Sequence, residues 1–141
     1  MKYIGILVAA IALTAGTAAQ DAKKVTASLQ GTWAVGTING KSLEGGSSLL
    51  LSFEGDKYHQ TVDGTVNERG SYKIDTSKKP MTIDLIITEG DDAGKTQLGV
   101  FEVAGDKLRA NLNIPGSTQR LPDFTISEAG IMFEAVKRAK L

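Results

Sequence analysis

Leu29-Gln30-Gly31-Thr32-Trp33 opens the first strand that the chain offers and holds its only Trp. Trp is the largest apolar side chain, and at the start of a first strand it can plug one end of a β-barrel once the last strand returns beside it. Gly31 is read as leaving room for that ring to fold over the backbone.

Outward from Trp33, short runs of alternating apolar residues are separated by turn signals at intervals of roughly 8 to 12 residues, the spacing of sandwiches and barrels. Eight strands are expected. The first, Thr32 to Ile38, closes on Asn39-Gly40, whose residues tolerate positive φ. The second, Leu49 to Phe53, puts Leu49, Leu51 and Phe53 on one face, because successive side chains alternate. In the third, Tyr58, Gln60 and Val62 share a face opposite Lys57, His59 and Thr61. The fourth, Val66 to Ile74, sends Tyr72 and Ile74 inward and Arg69, Ser71, Lys73 and Asp75 to solvent. Met81 to Ile87 aligns Met81, Ile83, Leu85 and Ile87. The sixth, Lys95 to Val103, is apolar on both faces. The seventh, Lys107 to Ile114, directs Leu108, Ala110, Leu112 and Ile114 one way and Lys107, Arg109, Asn111 and Asn113 the other. Phe124, Ile126, Ile131 and Phe133 supply an eighth, broken at Ala129-Gly130; from Ile131 to Leu141 a strand and a short helix compete. Residues 20–28 are polar without visible periodicity, a flexible or weakly helical lead-in to a domain spanning 29–141. Hairpins with short links exclude parallel pairs, which need long crossovers, and predict an all-β, antiparallel eight-stranded up-and-down barrel.

Composition narrows the function. The 141 residues suit one domain, and 16 basic residues cancel 16 acidic ones without a long like-charge run, so neither nucleic acid nor an anionic membrane surface is implied as a partner. Lys2, the apolar run Tyr3 to Ala15 and small residues through Ala19 have the form of a secretory signal peptide, residues 1–19, with Ala18 and Ala22 as alternative cleavage points. The run is too short to span a membrane, so the mature form is expected to be soluble and exported, periplasmic or extracellular. There is no Cys, hence no disulfide, no thiolate ligand and no lipidated cleavage site.

The Gly-x-Trp arrangement is similar to the lipocalin signature, in which a basic side chain from the last segment covers the Trp of the first strand. That likeness makes Lys137 and Arg138 the candidates, with Gly31 and Trp33, for barrel closure. A cation over an indole contributes about 0.5 to 2 kcal/mol. The stretch from Leu29 to about Phe133 also resembles a family of small exported domains, abundant in planctomycete bacteria and described as lipocalin-like. The likeness is carried by Leu29 to Trp33, Asn39-Gly40-Lys41, Phe53 to Tyr58, Gly70 to Asp75, Ser77 to Pro80 with Ile83-Asp84-Leu85, Glu89-Gly90 with Gly94-Lys95-Thr96, and Gly105 to Leu108. Ala110 to Asn113 depart from a more apolar, often Cys-containing segment, and Met81 stands where Lys is usual. The resemblance implies a lipocalin-like barrel outside the cytoplasm and no known activity.

The chemistry of catalysis is sparse. One His, no Cys and no nucleophile elbow argue against an enzyme, which would need a carboxylate pair in a pocket. His59 falls on the outer face and reads as a solvated residue. Asp91-Asp92, with Glu89, reads as an acidic turn, since calcium takes about six to eight oxygens. No metal or cofactor is expected. An eight-stranded barrel is just wide enough to be filled by side chains or to hold one small ligand. Trp33, Phe53, Tyr58, Tyr72, Leu85, Phe101 and Leu108 are the candidate lining of such a cup, the two Tyr hydroxyls orienting a polar atom, or else a packed core. The expected function is binding of a small apolar or amphipathic molecule. The alternative is an interaction or envelope module whose outer face, including the apolar side of the sixth strand, meets another protein.

Overall fold

A computed structural model describes residues 21–43 and 46–139; the expected signal peptide lies outside the described residues. Its strands are β1 (Gly31–Ile38), β2 (Lys41–Ser42), β3 (Leu49–Glu54), β4 (Lys57–Val62), β5 (Thr65–Asp75), β6 (Met81–Glu89), β7 (Thr96–Ala104), β8 (Lys107–Asn113) and β9 (Gly130–Lys137). Pairing runs antiparallel from β1 to β3 and then strand by strand to β9, which returns to β1. Eight strands therefore close an up-and-down barrel with no exposed edge. The two-residue β2 is an appendage folded back on the end of β1 across Asn39-Gly40, where φ is 51° and 79°.

Alternation decides what lies inside. Trp33, Leu51, Phe53, Tyr58, Tyr72, Ile83, Leu85, Phe101, Leu108, Leu112 and Phe133 form one buried cluster. Each large apolar side chain so buried contributes about 1.5 to 3 kcal/mol. Gly70 faces Tyr58 across the β4/β5 pair. A Cβ there would collide with the Ile86 carbonyl oxygen and come within 2.8 Å of Tyr58 Cε1, so the missing side chain lets the ring and the β6 backbone close up.

Residues 21–29 form a helix, α1, the helical one of the two forms expected for the lead-in, and it is docked on the barrel. Ala22, Val25, Thr26 and Leu29 are its less exposed positions, the spacing of one helical face. Val25 packs against the core and Leu29 is fully buried. So short a helix is marginal alone and takes its stability from that packing, which is why the sequence leaves flexible and helical forms both open.

The chain between β8 and β9 departs from the expected strand. Only Gly130–Lys137 is strand, with no helix over its described part; Phe124 and Ile126 belong instead to a strap, residues 114–129, laid over the outer face of β6, β7 and β8. Asn111 Nδ2 donates to the carbonyls of Asp123 at 2.8 Å and Thr125 at 3.3 Å, and Asn113 Nδ2 to that of Gln119 at 3.0 Å. Arg120 donates to the carbonyls of Ile83 and Gly99 and pairs with Asp84 at 2.7 Å. The Arg109 guanidinium lies 4.0 Å from the Phe124 ring centroid. Asn111 and Asn113 are thus buried, not solvated, because their amides hold the strap. Ile114, expected inside, lies past the end of β8 and is 60% exposed.

Candidate functional site

The two ends of the barrel differ. At one end Trp33 is fully buried, and its Nε1 donates to the Leu29 carbonyl at 2.8 Å. Trp33 pairs with Lys137 across β1/β9, and Lys137 Nζ lies 4.9 Å from the ring centroid while donating to the Ser28 carbonyl at 2.8 Å. Lys137 is therefore the cation over the indole. Arg138 joins the closure through its backbone N–H, which donates to Thr32 O at 2.8 Å. Gly31 has a different reason from the one expected: a Cβ there would meet nothing within 4 Å, but its φ of +112° is a conformation that side chains disfavour.

Gln30 locks the same end. Its amide accepts from Gly55 N at 2.7 Å and donates to Tyr72 Oη at 3.0 Å, while Tyr72 Oη donates to Gly55 O at 2.6 Å. Phe53 and Tyr72 meet edge to face with centroids 4.9 Å apart. Burial raises the Tyr72 phenol above its ordinary value, the Gln30 bond opposes the rise and the charge of Asp56 adds to it. This hydroxyl is committed to the plug.

At the opposite end a cavity of about 220 Å³ opens inward from the ends of β1, β3, β4 and β9. Val35, Leu51, Leu85, Leu112 and Phe133 form its apolar wall, with Ile38, Leu49 and Ile131 nearer the rim, and Tyr58, Gln60, Glu68, Asp92 and Gln97 supply polar groups. Tyr58 Oη donates to Glu68 Oε2 at 3.0 Å. Among the described residues no hydrogen bond reaches Glu68 Oε1. Burial pushes the Glu68 carboxyl above the usual glutamate range, the Tyr58 bond opposes that, and nearby Asp92 adds to it. The Tyr58 phenol is itself raised well beyond its ordinary range, by burial first and then by the charge and hydrogen bond of Glu68. Asp92 pairs with Lys95 at 3.1 Å, and Gln97 Nε2 donates to Asn113 O at 2.9 Å.

Of the seven expected lining residues, the structure brings Tyr58 and Leu85 to the cavity and leaves Trp33, Phe53, Tyr72, Phe101 and Leu108 in the packed core. Two carboxylates, Glu68 and Asp92, line the cavity; Asp92 belongs to the turn read as acidic, and Glu68 is the one that the sequence reading passes over. Glu68 was findable, because it shares its parity with Tyr72 and Ile74 on the inner face of β5. Gln97 carried no such signal, since the run from Lys95 is apolar on both sides. His59 lies on the outer face, paired with Ser52 and Arg69. Glu89 pairs with Arg69. The outer apolar side of β7 is partly covered by the chain itself: Val100 is 2% exposed and shares a cleft with Arg120, Leu121 and Pro122 of the strap.

A closed antiparallel barrel of eight strands, plugged at one end and open to a small cup at the other, is of the lipocalin-like class of fold. No protein-family model, curated protein or solved structure matches the chain. Among the described residues no helix is long and apolar enough to cross a membrane.

Proposed function

We propose that this chain is an exported, non-catalytic binding protein that holds a small apolar or amphipathic molecule at the open end of its barrel. The observation that carries this reading is the cavity of about 220 Å³, walled by aliphatic and aromatic side chains and edged by a few polar groups. Such a composition is that of small-molecule sites, and the fully packed opposite end supplies the rigidity that keeps the cup preformed. Binding is favoured over catalysis because Asp92 is occupied by Lys95, Glu68 is held by a phenol with a strongly raised pKa, and the chain's one His lies outside the barrel. The signal-like first residues and the family resemblance support export.

Native mass spectrometry of the protein purified from its own host, set against the same sample after denaturing extraction, tests this. A stoichiometric adduct of low mass that disappears on extraction is the expected result. A bare chain mass together with no response to a panel of small apolar compounds defeats the reading.

A further inference from the structure

We infer that the cup selects a small organic cation, an ammonium carried on a single-ring or short aliphatic body, with Glu68 as its counter-ion. This rests on the proposal that the cavity is a binding site and adds the class of ligand it takes.

The position of the carboxylate carries the argument. Leu51, Gln60 and Glu68 stand side by side in register across β3, β4 and β5, so Glu68 projects from the wall of the cup. A carboxylate beside Leu51, Leu85 and Phe133 costs free energy unless it is paired or hydrogen-bonded. Glu68 is half-buried, and among the described residues one hydrogen bond reaches its carboxylate, from Tyr58 Oη to Oε2, with Oε1 left open to the cup. Tyr58 cannot neutralise it, and Lys95, the cation of the neighbouring turn, is engaged by Asp92. What remains is an acceptor oriented by a buried phenol, facing a cavity that contributes no positive charge among its lining residues.

Size and polarity narrow the cation. An apolar cavity of about 150 Å³ holds benzene, so about 220 Å³ admits one ring and a short arm. A metal ion is ill served, since hard cations demand several oxygen ligands and the wall is hydrocarbon. An alkylammonium meets both halves of the site, the charge at Glu68 and the body against Leu85, Leu112 and Phe133, whose ring can also face the cation. The titratable groups facing Glu68 are Tyr58 on β4 and Asp92, with its Lys95, in the β6/β7 turn. Of these, Asp92 is already paired with Lys95, which leaves Glu68 as the carboxylate to meet a cation.

Three probes that share a phenylethyl body test this by isothermal titration calorimetry on the full chain at neutral pH: 2-phenylethylammonium, 2-phenylethanol and 3-phenylpropionate. The ammonium is expected to bind at least about tenfold more tightly than the alcohol, as a charge-assisted bond implies, and the carboxylate not at all. Glu68→Gln should reduce ammonium affinity to about that of the alcohol. In the wild-type chain ammonium binding should weaken as pH falls and Glu68 protonates, which tests the charge even where the variant misfolds. If the alcohol binds as tightly as the ammonium, or ammonium binding is independent of both pH and Glu68, the choice of cation is wrong and the binding cup stands. If neither the ammonium nor the alcohol binds, and ethylbenzene does not either, the cup is not a binding site and both readings fall.

Discussion

Lys137 Nζ sits 4.9 Å from the centre of the Trp33 ring and 2.8 Å from the Ser28 carbonyl oxygen, so one side chain of β9 joins the start of β1 to the end of α1. Both contacts are charge-dependent, and both sit where the barrel closes on itself. Lys137→Met should lower stability by about 1 kcal/mol, with Lys137→Arg recovering part of it. Urea unfolding followed by the fluorescence of Trp33 measures this directly, and an unchanged midpoint for the Met variant would show that the pair is ornamental.

Two glycines separate two physical reasons for the same residue. Gly70→Ala forces a Cβ into the Ile86 carbonyl and the Tyr58 ring, which are backbone and packed aromatic with no room to yield, and should cost about 3 kcal/mol. Gly31→Ala meets open space but must hold a φ of +112°, and should cost about 1 to 2 kcal/mol. Thermal unfolding of the two variants should rank them in that order.

The strap gives a local test. Arg120 binds two carbonyls and one carboxylate on two adjacent strands, a pattern that a planar guanidinium meets and an ammonium does not. Arg120→Lys should therefore behave like Arg120→Met: faster hydrogen exchange across residues 114–129, and a loss of about 1 to 3 kcal/mol. Retained protection of the strap in the Lys variant would mean that charge alone holds it.

These elements were unequally legible in the sequence. Period-two alternation places Leu49, Leu51 and Phe53, or Ile83, Leu85 and Ile87, on one face, and the lone Trp two residues after Gly31 marks the plugged end. The helix is legible only as one of two alternatives, because Val25 and Leu29 are too few to define a period and what fixes it is the barrel floor it covers. The strap escaped because Asn111 and Asn113 alternate as solvent-facing residues would; only the carbonyls that reach them in three dimensions make them buried. The seven candidate residues read equally as cup lining or packed core; the structure puts Trp33, Phe53, Tyr72, Phe101 and Leu108 in the core and brings Tyr58 and Leu85 to the cup, a division that strand alternation, which sorts faces and not depth along the barrel, does not supply.

Glu68 sets a pH dependence of stability. Its folded-state pKa lies above the unfolded value, so between the ordinary glutamate range and the raised value the native state holds more protons than the unfolded chain. Stability then falls as pH rises through that window. Glu68→Gln keeps an acceptor for Tyr58 and removes the titration. The variant should match the wild type below the glutamate range and exceed it at neutral pH. Urea midpoints for the two proteins from about pH 3 to about pH 8 should diverge in that sense, and parallel curves would contradict it.

Stability and binding should also separate along the barrel axis. Phe53 and Phe101 are 2% and 1% exposed and packed at or below the plug, so truncation to Ala leaves a cavity with no route to collapse and should cost about 3 to 5 kcal/mol. Ile131 is 37% exposed at the rim, and Ile131→Ser removes surface that water already reaches, at an expected cost under about 1 kcal/mol. Yet Ile131 lines the cavity and Phe53 and Phe101 do not. Calorimetry with 2-phenylethanol should show weaker binding to the Ser variant than to the wild type despite its near-native unfolding midpoint. A rim substitution that left affinity untouched would place the occupant deeper, against Phe133 and Leu85.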